Sequence, residues 1–155
     1  MTLLFQLSVV FPLAAAQAWM PAMRWLGGIR IEFLPALVPW FSFTVSRRRA
    51  ITLAIIAGFA QDALSAAPFG LTAVAFVIAA IVMTGLRDVL ARELPPVQLV
   101  AGAFTSALAG FAACCVAGFS FGGLFKVFVI AVITGVLTSL LFFGIEFARL
   151  FRRIA

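Results

Sequence analysis

The sequence predicts an all-α integral membrane protein, a single bundle of six transmembrane helices with both termini in the cytoplasm. Three observations carry this expectation. Of the 155 residues, 65% are hydrophobic and only 10% are charged, whereas a soluble domain is about half apolar and about a quarter charged. The apolar residues fall into six runs, and six spans of about 20 residues, the length that crosses a bilayer core of about 30 Å, use essentially the whole chain. The basic residues gather at the ends of these runs and mostly on one side, as membrane topology requires.

The first span covers residues 2–23, with Trp19 and Trp25 near its far end, where an indole favours the headgroup region. Ala16-Gln17-Ala18 has the small-x-small form of a cleavage site, but residues 1–15 carry no charge. A secretory signal needs a basic n-region, so the segment is expected to stay as a span. Residues 24–32 form a short polar loop. The second run, residues 33–46, is short: at about 1.5 Å per residue it reaches only about 21 Å. Pro35 and Pro39 interrupt it. Each removes a backbone donor, which is tolerated at membrane depth only where neighbouring groups satisfy the freed carbonyl, so this helix is expected inside the bundle.

Arg47-Arg48-Arg49 is expected to end that helix, and residues 50–66 to form a third span of minimal length. A tight turn over residues 67–70 leads to a fourth span at 71–86. Residues 87–96 are the one charged connection of any size, with Asp88 and Arg92 at i,i+4 spacing on a helical extension capped by Pro95-Pro96. Spans five and six cover residues 97–119 and 124–147, joined through Ser120-Phe121-Gly122-Gly123, and residues 149–155 form the tail. There is no internal repeat.

With a cytoplasmic N-terminus the inside collects Arg47, Arg48, Arg49, Arg87, Arg92, Arg149, Arg152 and Arg153, and the outside Arg24, Arg30 and Lys126. Eight against three sets the orientation by the positive-inside rule.

Composition also excludes chemistry. There is no His and no Tyr, and the two Cys are neighbours, Cys114 and Cys115, in an apolar run. Neither a His/Cys zinc site nor a His-based nucleophile and base pair can be assembled, and disulfide scaffolding is not expected. The net charge of +6 belongs to the topology, so no nucleic-acid partner is expected. Phosphate-loop and dinucleotide signatures are missing, and no cofactor or metal is expected. Glu32, Asp88, Glu93 and Glu146 all sit at membrane edges near an arginine, where ion pairing explains them better than catalysis, which needs groups positioned together. The chain is not expected to be an enzyme.

Helices in lipid pack through small residues that let backbones approach. In span five Gly102, Ser106, Gly110, Cys114 and Gly118 recur every four residues; in span six Ala131, Gly135 and Ser139 do so; in span three the row is Ala54, Gly58, Asp62 and Ala66. Packing within the bundle is the plain reading of these rows, a homodimer or partner seam the other. Asp62 is the one acid well inside an apolar span. A carboxylate there costs about 2.5–3.5 kcal/mol on insertion scales, so it needs a pairing, a proton or water. It is expected to accept hydrogen bonds from backbone or hydroxyl groups at a helix break around Pro68 to Gly70. A carboxylate that fixes helix register and one that binds a partner look alike in sequence. Arg47, Arg48 and Arg49 set topology and attract anionic lipid, while the segment carrying Arg87 and Arg92 is the larger surface for a cytoplasmic contact.

The order of a short second span, a basic turn, Gly58-x-x-x-Asp62-x-x-Ser65, Pro68, and Gly70-Leu71 before an Ala-rich helix resembles the rod shape-determining MreD family. Arg30-Ile31-Glu32-Phe33-Leu34-Pro35 is similar to that family's approach to its second span, with Glu32 and a later Pro35 where the family often has a Pro-Asp pair. The resemblance is sharpest over about 30 residues, and the six-span layout agrees along the whole chain. It implies a non-enzymatic scaffold of the bacterial cell-elongation machinery in the cytoplasmic membrane. It also implies as partners an MreC-like bitopic protein, the peptidoglycan polymerase and transpeptidase, and an MreB-like filament. Gly58, Asp62, Ser65, Pro68 and Gly70 would be the family motif, with a structural or docking role. The family's fold is similar to that of the substrate-binding S-components of energy-coupling-factor vitamin transporters, which supplies the alternative function. Such a component needs polar and aromatic groups converging on a cavity, and the candidates here reduce to Gln17, Trp19, Gln61 and Asp62.

Overall fold

The structure is a computed structural model that describes residues 3–19, 32–65, 68–89, 94–118 and 120–154. Among the described residues it is all-helical, with α1 (Leu3–Trp19), α2 (Leu34–Thr44), α3 (Arg47–Leu64), α4 (Leu71–Leu86), α5 (Pro95–Ala117) and α6 (Phe121–Ile154). Two stretches, Pro95–Ala117 and Phe121–Ile145, are long and apolar enough to cross a membrane; the apolar stretches Ser8–Trp19, Leu34–Thr44 and Leu71–Leu86 are shorter.

The shortest helix sits at the centre. α2 touches all five others, and residues 34–43 are buried without exception. Pro35 lies in its first turn, where a missing N–H would be unpaired in any case. Pro39 lies inside the helix and leaves one carbonyl without its intrahelical donor. Around Leu34, Leu37 and Phe41 of α2 gather Leu53 and Ala57 of α3 and Phe76 and Ala80 of α4. Phe43 meets Phe142 of α6 edge-on at 6.3 Å.

Two antiparallel hairpins, α3–α4 and α5–α6, enclose α2, while among the described residues α1 packs on α2 and α3. Both hairpins close through missing side chains. A Cβ on Gly58 would run into the Ala73 backbone, standing 2.8 Å from its nitrogen. In the second hairpin Gly102 lies against Thr138 and Gly110 against Val127, and a Cβ on Gly135 would stand 2.7 Å from the Leu99 carbonyl oxygen. Ser106 accepts a hydrogen bond from Thr134 Oγ1 at 3.3 Å. Ser139 is half-buried.

Several boundaries differ from expectation. Arg47, Arg48 and Arg49 do not end α2 but form the first turn of α3, all three exposed. α2 stops at Thr44 because Val45 turns extended. Residues 87–89 form a turn rather than a helical extension, closed by Val89 N donating to the Leu86 carbonyl. Asp88 faces Arg87, at 3.6 Å from its Nε, and Arg92 lies outside the described residues. Pro95 and Pro96 open α5 instead of capping a preceding helix, the position where proline's fixed φ suits a first turn. Gly118 does not pack: it ends α5 with φ +89° and has open space around it. α6 starts three residues early and continues to Ile154; its 34 residues make about 51 Å at about 1.5 Å each. Arg24, Trp25, Arg30, Ala66 and Glu93 also lie outside the described residues.

Outside, the long helices turn apolar stripes outward. Phe59 of α3, Val74 and Ile78 of α4, Phe104 and Phe111 of α5, and Phe128, Val132, Val136, Leu140 and Phe143 of α6 are exposed. Monomeric soluble proteins rarely show contiguous apolar surface of this extent.

Candidate functional site

The buried polar groups at one end of the bundle form a connected set, and each part of it follows from a helix end that cannot cap itself. α4 begins after Gly70, which sits at φ +97° and has no side chain to offer the first turn. Only glycine takes this backbone conformation without strain. Asp62, in the last turn of α3 and 3% exposed, supplies the missing cap. Its Oδ2 accepts from Gly70 N at 2.8 Å and its Oδ1 from Thr72 N at 3.1 Å. A carboxylate at a helix N-terminus meets both unpaired N–H groups and the positive end of the helix dipole, which offsets its desolvation. Ser65 closes α3, its N–H donating to the Gln61 and Asp62 carbonyls at 3.0 and 3.3 Å. Pro68 accepts from Leu71 N at 3.2 Å and completes the corner.

α2 is capped the same way from another helix. Gln17 of α1 accepts at Oε1 from Phe33 N at 2.9 Å and Leu34 N at 3.3 Å. Those two donors fix which end of the amide faces α2, so Gln17 Nε2 must point elsewhere. It donates to Gln61 Oε1 at 2.8 Å. The same logic then sets Gln61, whose amide nitrogen remains for the cavity that this residue lines.

That cavity, of about 100 Å³, is walled by Glu32, Gln61, Ser65, Thr72 and Ser106 on its polar side and by Ala109, Ala113, Val127 and Ile130 on its apolar side. It has the size of about three water molecules at roughly 30 Å³ each, well below the roughly 300–1,000 Å³ of small-molecule sites. Burial pushes the Glu32 carboxyl up from its ordinary 4.5 to about 7. Among the described residues no cation pairs with it; the ion pair present is Arg87 with Asp88. Glu32 is therefore a single proton-exchanging group beside hydroxyls and an amide, with no second carboxylate among the residues that line the cavity.

Gly58, Asp62, Ser65, Pro68 and Gly70 thus come together at the α3–α4 corner. Gly102, Ser106, Gly110 and Gly135 lie on the α5–α6 seam, and Gly118 joins neither group. Arg87 is at the opposite end, where its Nη1 donates to the Val45 carbonyl at 3.1 Å and holds the C-terminal end of α2. Trp19 is 90% exposed and takes no part in the polar set. The cavity role of Glu32 and Thr72 is not evident in the sequence, where Glu32 reads as a partner of Arg30. Among the described residues no three His, Cys, Asp or Glu side chains are placed to hold a metal ion. Comparison with protein-family models, with curated proteins and with solved structures finds no match for this chain.

Proposed function

We propose that this chain is a multi-pass protein of a bacterial cytoplasmic membrane and acts as a non-enzymatic scaffold of the cell-elongation machinery. In this role it holds an MreC-like bitopic protein beside the peptidoglycan polymerase and transpeptidase and an MreB-like filament. The membrane part is supported by the apolar stripes on the outer helix faces and by two helices of spanning length. The link to cell elongation rests on the resemblance of the Gly58 to Gly70 stretch.

One observation favours the scaffold over the transporter component. The polar side chains that a vitamin site would have to turn toward a ligand are engaged inside the protein: Gln17 and Asp62 cap α2 and α4, and Gln61 bonds to Gln17. The cavity left beside them is too small for a vitamin-sized molecule. A scaffold needs only complementary helix surfaces.

Purification of the tagged protein from its native membrane in mild detergent, with the co-purifying proteins identified by mass spectrometry, tests the reading. Recovery of an MreC-like protein or a cell-wall transpeptidase supports it. Recovery of ATPase subunits together with a bound small molecule overturns it in favour of the transporter component.

A further inference from the structure

At the end of the bundle remote from Asp62, residues of α4 and α5 line a groove of about 390 Å³. Val82, Met83 and Leu86 form one wall and Pro96, Val97 and Val100 the other, with no charged or hydrogen-bonding side chain among the lining residues. Leu86 and Val100 are 44% and 63% exposed, so the groove opens to the outer surface.

Arg87 follows Leu86 directly at the rim. Its guanidinium uses one N–H on the Val45 carbonyl and turns Nε to Asp88, leaving further donors of its fork free. The bond to Val45 holds it against the α2–α3 corner, where Arg47, Arg48 and Arg49 follow, all exposed. Among the described side chains, this end of the bundle carries four arginines against one aspartate, Asp88. We propose that the groove binds one anionic phospholipid, an acyl chain lying between α4 and α5 and the phosphate on Arg87 and the neighbouring arginines. Guanidinium groups pair with phosphate through paired N–H donors, and Arg87 is the residue that follows Leu86 of the apolar wall.

A helix from another protein is a poorer occupant. Close helix pairing in a bilayer uses small residues, and those of α5, Gly102, Ser106 and Gly110, already face α6. The groove side of α5 offers Pro96, Val97, Val100 and Phe104 around a single small residue, Ala101, and mostly branched and bulky side chains suit a flexible hydrocarbon chain. The proposal rests on the membrane reading given above, and its test separates the two.

The test is native mass spectrometry of the detergent-purified protein from mixed micelles holding equimolar phosphatidylglycerol and phosphatidylcholine with matched chains. Wild type should retain one phosphatidylglycerol in preference to phosphatidylcholine, and Arg87→Gln should lower that preference roughly five-fold, the factor equivalent to about 1 kcal/mol per arginine at a lipid surface. Val100→Trp, which fills the groove, should reduce retention of both lipids. Equal retention of the two lipids by wild type overturns the site whatever the variants do. A photo-crosslinking residue at Val100 in native membranes should give a lipid adduct; a protein adduct or a crosslinked dimer overturns the lipid in favour of a partner helix or a second copy. A chain that leaves the membrane on alkaline washing overturns the membrane reading itself, whereas equal lipid retention by an integral protein overturns the lipid site alone.

Discussion

Gly58 lies so close to Ala73 that a Cβ at position 58 would stand 2.8 Å from the Ala73 nitrogen and 2.9 Å from its Cβ. The obstacle is backbone and cannot rotate away. Alanine in a helix interior gains up to about 1 kcal/mol over glycine, but forcing atoms into a packed contact costs about 1–3 kcal/mol, so the clash wins. Gly58→Ala should lower the thermal unfolding midpoint in mild detergent, and Gly58→Leu should lower it further. Gly85 faces open space in α4, and Gly85→Ala should be neutral or mildly stabilising.

Asp62→Asn keeps the shape of the α3–α4 corner and changes its chemistry. One oxygen still accepts from a backbone N–H, while the new amide presents its own donors to the other. Losing a hydrogen bond to a charged group costs about 1.5–3 kcal/mol, and the interaction with the α4 dipole goes with it. The variant should unfold at lower temperature. At temperatures where it stays folded it should still recover whatever proteins the wild type recovers under the proposed scaffold role, because the carboxylate faces Gly70 and Thr72 and not the outer surface. Loss of partners from a variant of unchanged stability would place Asp62 in the docking surface instead.

The reach of sequence reading here follows the distance between interacting residues. Asp62 and Gly70 are eight residues apart, and a buried acid followed by a Pro-Phe-Gly turn restricts where its partners can lie. Gln17 and Gln61 are 44 residues apart, and nothing local says which of several polar side chains closes on which helix end. The helices themselves are legible because their apolar runs are long and are separated by charged residues, Pro and Gly. Their ends are less so: Arg47 to Arg49 and Pro95-Pro96 read as stops, although each opens a helix, since proline suits a first turn and the arginines remain exposed at the surface. The same ambiguity holds for Gly118, whose four-residue spacing fits a packing row until its positive φ shows it to be the end of α5. Glu32 next to Arg30 suggests an ion pair; its place on the cavity depends on how α3, α4, α5 and α6 come together around it, which is set by tertiary packing.

The Gln17 and Gln61 pairing can be tested as a unit. Gln17→Leu fills similar volume but leaves Phe33 N and Leu34 N without an acceptor, at about 1–3 kcal/mol for buried donors. Gln61→Leu removes only the acceptor of Gln17 Nε2 and should cost less. A double-mutant cycle on unfolding in detergent should give a coupling of about 0.5–3 kcal/mol, the range for residues in one hydrogen-bond network. Additive single effects would mean that the amide bond contributes nothing to holding α1 on α3.

Glu32 gives the fold a dependence on pH. Its carboxyl titrates near 7 in the folded chain and near 4.5 when solvated, so between these values the folded state binds the proton more tightly than the unfolded one. Stability linked to this group is therefore fully present below about 4.5 and is lost as pH rises through about 7. The loss is on the order of 2 kcal/mol, because a tenfold difference in proton affinity is equivalent to about 1.4 kcal/mol and the carboxyl keeps some contact with solvent. Wild type in mild detergent should show a falling unfolding midpoint from pH 5 to about 8, while Glu32→Gln, which stays neutral, should remain flat over that range and exceed wild type at its upper end. If instead an arginine of the segment before α2 paired with Glu32, the carboxylate would be the stabilised form. The variant would then fall below wild type at high pH, so the sign of the difference decides whether burial or ion pairing governs this residue.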